Sequence, residues 1–198
     1  MSLRFTRATD GEKDQLLTAA QHLPLTSPPL LTLEHGPVGT MPRGFAHDLS
    51  RTEVGRGAAA FAAARQAFRR WEQFDLGWVR IINGNPRIAP GELVAVEAHT
   101  AYLWSVNINR ITDVIDDHHR FGFLYTTTTV HVEQGQERFL LERNAETESV
   151  SYLIEAISRP TDPLARLAYP LSRLMQHRFT RDSQARLRRL VLERTASP

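Results

Sequence analysis

"FLYTTTTVHVEQGQERF", residues 123–139, is the stretch on which the fold turns. β-Branched and aromatic residues dominate it, as in strands. Glu133-Gln134-Gly135 reads as a three-residue hairpin loop in which Gly135 can take positive φ. Strand side chains alternate between faces. Phe121, Phe123, Tyr125, Thr127, Thr129 and His131 therefore share a face of the first strand, and Glu137, Phe139 and Leu141 a face of the second. This loop length sets His131 opposite Glu137, whereas a two-residue turn would put them on opposite faces.

The preceding strand extends the pattern. In "YLWSVNINRI", residues 102–111, the apolar side carries Tyr102, Trp104, Val106, Ile108 and ends in Arg110; the other side carries Ser105, Asn107 and Asn109. A turn at Asp117-His118, or at 116–119, pairs Arg110 with Tyr125 and Trp104 with His131. Trp104, His131 and Glu137 then form one row, with Thr129 and Phe139 in the next and Arg159 near the same end. Arg110 and Tyr125 lie six residues along, roughly 20 Å away at ~3.3 Å per residue.

A carboxylate beside an imidazole orients its tautomer and raises its pKa, as acid–base chemistry requires. The same pair also serves as a plain hydrogen bond at a hairpin end. Arg110 is either an anchor for an anionic head group or a rim arginine paired with a carboxylate or with carbonyls. The candidate ligand-binding set is Trp104, Arg110, Tyr125, Thr127, Thr129, His131, Glu137, Phe139 and Arg159; His131 and Glu137 are also the candidate catalytic pair. Asp116, Asp117, His118 and His119 diverge along the chain and read as a solvated turn. With no HExxH, zinc spacing or P-loop, neither metal nor cofactor is expected.

Further strands are predicted at 78–82, 92–98, 101–115, 120–132, 136–143 and 149–158, and the short links between them demand antiparallel neighbours. Thr9 to Leu23 reads as a helix opened by a Thr9/Glu12 capping box. Residues 26–50 are rich in Pro and Gly, with a short strand at 30–34, and Arg51 to Arg56 reads as a strand. "GRGAAAFAAARQAFRRWEQF" is a helix with Phe61, Ala64, Phe68, Trp71 and Asp75 on one face. Gly55 and Gly57 read as a tight strand-to-helix turn, and not as a phosphate cradle. Asp162 and Pro163 suggest a short capped turn, with a break at Pro170. A last helix then runs to about Glu193, with Leu171, Leu174, Met175, Phe179, Leu187, Leu190 and Val191 as its apolar side.

The 198 residues suit one domain: an N-terminal helix and irregular segment over 1–50, and a core over 51–198. The order implies an α+β fold, with a curved antiparallel sheet wrapped around the long C-terminal helix. It resembles the START-like helix-grip fold, known for apolar cavities between sheet and helix. At 41% hydrophobic the chain can build a core, and having no cysteine it has no disulfide or thiolate chemistry. No apolar stretch approaches the ~18 residues of a membrane span, and the first residues lack a signal-peptide core. A cytoplasmic protein is expected. The net charge is +2, but residues 159–198 hold nine arginines against Asp162, Asp182 and Glu193. That helix could dock on an anionic membrane or partner. Without interleaved exposed aromatics, nucleic-acid binding is not expected.

The chain also resembles the DUF1990 family of bacterial and plant domains of unknown function, from about Gly36 to Leu190. The resemblance rests on "VGRGAAAFAAARQAFRRW", "NRITDVIDDHHRFGFLYTTTTVHVEQGQERF", "EAISRP" and "PLSRLMQHRF", in order and at the right spacing. Gly122, Tyr125, His131, Gly135, Glu137 and Phe139 occupy the family's pattern, as do Arg110 and Ser158-Arg159-Pro160. This chain departs from it at Thr126, at Thr128-Thr129-Val130 and at Gln136. The resemblance implies a helix-grip-like fold and brings no established activity. Three functions follow as expectations. The first is binding of a small apolar or amphipathic molecule between sheet and last helix. The second is a cyclase- or hydratase-like cavity enzyme using the Glu137–His131 pair. The third is a docking module acting through the arginine-rich helix.

Overall fold

The computed structural model describes residues 3–100, 102–129, 131, 133–160 and 169–196. Its strands are β1 (Leu3–Arg4), β2 (Leu31–Thr32), β3 (Gly36–Pro37), β4 (Ala46–Arg56), β5 (Val79–Ile81), β6 (Leu93–Thr100), β7 (Leu103–Asp116), β8 (Arg120–Thr127), β9 (Glu133–Arg143) and β10 (Ser149–Pro160). The helices are α1 (Asp10–Ala20), α2 (Gly57–Arg69) and α3 (Tyr169–Ala196), with a 3-10 turn at Glu72–Phe74. The sheet order is β4-β10-β9-β8-β7-β6-β5, all antiparallel; β1 joins β7 where β8 has ended, and β2 pairs with β3.

The sheet curls as a half-barrel, with α2 and α3 on its concave side. Phe61, Ala64, Phe68 and Trp71 turn inward from α2, as their spacing predicts, and pack on Phe121, Phe123, Phe139 and Tyr152. Asp75 leaves that face and is exposed, because Trp71 takes a left-handed conformation (φ 56°) that ends the helix before it. Gly57, at φ 81°, makes the sharp entry into α2. A Cβ on Gly55 would press on Ala60 and Val191, so small size there lets β4 lie against both helices.

The two ends of α3 differ. Leu187, Leu190 and Val191 are buried, and Ser183 meets the Tyr152 hydroxyl at 3.0 Å. Leu171 and Leu174, assigned above to the apolar side, are exposed; at this end Ser172 and Arg173 face the sheet instead, on Glu133 and Asp48. Pro170 sits in the first described turn of α3, where a missing N–H costs nothing, so α3 runs on from it without the break or kink expected there. The turn expected at Asp162 and Pro163 lies outside the described residues.

The convex side is covered as well. The capping box of α1 forms as read, Thr9 accepting from the Glu12 N–H and Glu12 from that of Thr9. Leu16, Leu17 and Leu23 pack with Ala20 on Val106, Ile108 and Ala95. Leu30, Leu31 and Leu33 cover Leu124 and Ile157. The apolar side of β7 therefore faces the N-terminal segment and not α3. That inverts the inward assignment of Trp104 and Arg110.

Candidate functional site

Two register details decide which side chains meet. The β7–β8 hairpin pairs Asp116 with Phe121, and a bulge between Ile111 and Asp113 then shifts the ladder. Beyond it Ile111 faces Tyr125 and Asn109 faces Thr127. Asn109 pairs on its other side with Val94 of the main core, so it belongs to the concave face. On β8–β9 the ladder sets Tyr125 opposite Glu137. The predicted faces of these two strands hold, since the register differs by an even number of residues, but the predicted partner does not. Glu137 meets Tyr125, not His131.

Tyr125 donates its hydroxyl hydrogen bond to Glu137 Oε2. Burial pushes the Glu137 carboxyl from its ordinary 4.5 up to about 7, with the nearby Glu133 and Asp48 adding to the rise and the Tyr125 hydroxyl opposing it. Burial, and then the Glu137 charge, raise the Tyr125 phenol well above its usual range. Around this pair the polar groups are mutually engaged. Arg173 holds both oxygens of Asp48. Ser158 donates to Glu133 Oε2 at 2.6 Å and Ser172 donates to Oε1.

Three amide side chains stand out for lacking partners. Asn109 is 1% exposed and its Oδ1 has no hydrogen bond among the described residues. Gln73, in the 3-10 turn whose Phe74 packs on Phe139 and Phe179, is wholly buried with neither amide atom partnered among them. Asn107 Oδ1 is in the same state. An unmet buried polar group costs about 1–3 kcal/mol, so such groups mark a place where a partner is missing. Sequence reading put Asn107 and Asn109 on the outer face, and nothing in the local pattern of Gln73 set it apart.

The other predicted residues are dispersed. His131 lies in the β8–β9 turn, its Nδ1 3.0 Å from both the N–H and the carbonyl oxygen of Glu133; burial lowers its pKa. Thr127 spends its hydroxyl on Gly135, donating to O at 3.1 Å and accepting from N at 2.9 Å, and Thr129 is exposed. Arg110 donates to the carbonyls of Ala20 and Gln21 at 3.0 and 2.9 Å, closing the C-terminus of α1. Trp104 stacks on His99 at 4.3 Å beneath the Arg7 guanidinium. Arg159 lies over Phe45 on the outer side and donates to Gln134 Oε1 at 2.9 Å. Of the predicted set, Tyr125, Glu137 and Phe139 come together on the concave face, with Thr127 on the same side but its hydroxyl tied to Gly135 and Thr26; Trp104 and Arg110 do not join them, because β7 presents its polar side there. Asp116 meets Arg65 and Arg69, and Asp117 caps its own turn. Among the described residues no group of three or more metal-ligating side chains is placed to hold an ion.

A curled antiparallel sheet gripping a long C-terminal helix, with polar groups gathered where that helix begins, defines a START-like helix-grip protein. Residues 32–186 match the family described as "Domain of unknown function (DUF1990)", and the chain belongs to it. A UPF0548 protein from Dictyostelium discoideum is 33% identical over 150 residues, 70% of this chain and 69% of that protein. One from Deinococcus radiodurans is 32% identical over 142 residues, 66% of this chain and 71% of its own. Among solved structures, protein NE0264 from Nitrosomonas europaea superposes with a TM-score of 0.53 at 10% identity, covering 76% of this chain and 96% of that one. The di-domain ARO/CYC BexL from the BE-7585A biosynthetic pathway gives 0.54 at 14%, covering 76% and 51%. At such identities the likeness is one of fold.

Proposed function

We propose that this protein binds a small apolar or amphipathic molecule between the concave face of the sheet and α3. The observation that carries it is the buried Oδ1 of Asn109, without a hydrogen bond among the described residues, close to the Tyr125–Glu137 pair on a face otherwise built of aromatic rings and aliphatic side chains. Polar groups are left unmet inside an apolar wall where a ligand supplies the missing partner. The face is graded in the same sense, from Phe68, Tyr152 and Leu187 at one end to Asp48, Glu133, Ser172 and Arg173 at the other. Native mass spectrometry of protein purified without denaturant tests this. A retained small molecule, released on unfolding, is the expected result. A bare chain that also fails to take up 1-dodecanol would overturn it.

A second reading has one observation in its favour. A carboxyl poised near pH 7 is what proton transfer requires, and Glu137 is so placed, with Tyr125 as its hydrogen-bonded neighbour in the role first assigned to His131. If the protein turns over its retained molecule, wild-type protein will convert it and Glu137→Gln will not. Docking through α3 is less well supported. Arg173, Arg178, Arg181, Arg186, Arg189 and Arg194 already meet carboxylates of this chain.

A further inference from the structure

The binding reading leaves open which chemistry sits at the polar end, and the side chains there are unequal in sign. Glu137 is faced by Tyr125 from β8, Tyr152 from β10, Asp48 from β4 and Glu133 from its own strand; Arg173 and Tyr169 of α3 stand against Asp48 and Glu133, and His131 of the adjoining turn against Glu133. Three carboxylates thus stand against one guanidinium, and that guanidinium is committed to Asp48. Glu133 is occupied by two serine hydroxyls. Among the described residues, Tyr125 is the hydrogen-bond partner of Glu137.

Asn109 adds a second, independent acceptor. It faces Thr127, so it is the diagonal neighbour of Tyr125 across the β7–β8 ladder, roughly 7–8 Å away. Its Oδ1 is buried and unpartnered. Two acceptors therefore stand on the strands either side of Tyr125, whose ring packs on Phe123 and Phe139. An anionic head group would meet carboxylates here, with no uncommitted cation beside them among the described residues of the sheet. A group that donates hydrogen bonds and carries positive charge satisfies the oxygen atoms, opposes the excess negative charge and suits the aromatic surface.

We propose that the molecule held here is an amphipathic amine, bound through its protonated nitrogen at Glu137 and Asn109 with its apolar body toward Phe139 and Phe179. This deepens the binding reading and rests on it. An ammonium draws Glu137 into its ionised form, so binding expels the proton that burial keeps on the carboxyl near neutrality. Binding of an amine therefore strengthens as pH rises through 7, whereas that of a neutral alcohol does not.

The test uses three probes with one tail, n-dodecylamine, 1-dodecanol and dodecanoate, titrated calorimetrically below their micellar concentrations into the full-length protein. The amine is expected to bind about tenfold tighter than the alcohol at pH 8, with dodecanoate weakest, and to lose about tenfold between pH 8 and pH 6. Glu137→Gln removes both the preference and the pH dependence, with an unchanged near-UV circular dichroism spectrum of the concave aromatics showing the fold intact. Asn109→Leu weakens the amine selectively. Dodecanoate binding as tightly as the amine, or an amine preference untouched by Glu137→Gln, overturns the assignment of the head group alone. No binding of any of the three overturns the binding reading with it.

Discussion

The sheet has two buried faces, and they treat carboxylates in opposite ways. On the convex face Glu155 is buried against Arg138 at 2.6 Å and His47 at 2.7 Å, under the carbonyls of Thr32 and Leu33 that Arg138 also reaches. Glu97 is buried likewise, between Arg7 at 3.0 Å and Arg80 at 2.9 Å. On the concave face Glu137 has a phenol for a partner, other acids for neighbours, and a carboxyl pushed to about 7. Matching charge on one side fastens the N-terminal segment to the sheet. Unmatched charge on the other stores a cost that a bound molecule can relieve. The contrast separates structure from chemistry among acids that a sequence presents as equivalent.

Breaking the convex lock should have the largest effect. Arg138→Ala leaves Glu155 buried without its guanidinium and should cost about 3–5 kcal/mol in urea unfolding, whereas Arg138→Met with Glu155→Leu should recover most of it. A single-mutant loss under about 1 kcal/mol would mean that the pair is solvated. The concave acid should behave in the opposite sense. Its folded pKa is raised, so the folded state keeps a proton that the unfolded chain releases above 4.5. The penalty is absent below that value, grows towards pH 7 and is full above it. Glu137→Gln should therefore stabilise the protein by about 1–2 kcal/mol at pH 8 and leave it unchanged at pH 4. Equal effects at both pH values would show an ordinary, solvated carboxylate.

Tyr125→Phe sharpens the same point, because the hydroxyl is what holds the Glu137 carboxyl down. Its loss should raise the carbon-13 titration midpoint of Glu137 by about one unit; a fall would place the hydrogen bond elsewhere. Smallest is Thr9→Ala, which removes the cap of α1 and should cost about 1 kcal/mol or less, since the cap is exposed. Near-UV signals of the concave aromatics should not move.

Much of this was legible residue by residue. The capping box at Thr9, the inward stripe of α2 and the alternation that puts Tyr125, Glu137 and Phe139 on one face depend on near neighbours, and they fold as their spacing dictates. The errors fall in two places, β7 and the β8–β9 connection, where Glu133-Gln134-Gly135 extend β9 and do not form the predicted loop, Gly135 taking no positive φ. In β7, Val106 and Ile108 mark an apolar side, which by itself reads as facing the grip helix. A sheet buried on both faces makes that rule ambiguous, because either covering layer satisfies it equally. Arg110 then caps a helix, while Asn109, the polar residue on the supposedly wet side, is the one left unpartnered inside.

By itself the amino-acid order determined where strands and helices lie, which side chains share a face of a given strand, and the family to which the chain belongs. Those are matters of local sterics and of periods near two and 3.6 residues. Which face turns toward α3, and which carboxylate goes without a cation, were decided in three dimensions. One bulge between Ile111 and Asp113, and a first helix packed on Ala95, Val106 and Ile108, settle the first; the commitment of Arg173 to Asp48 bears on the second. Each acts through contacts between residues far apart in the chain, whose free energies no local window contains.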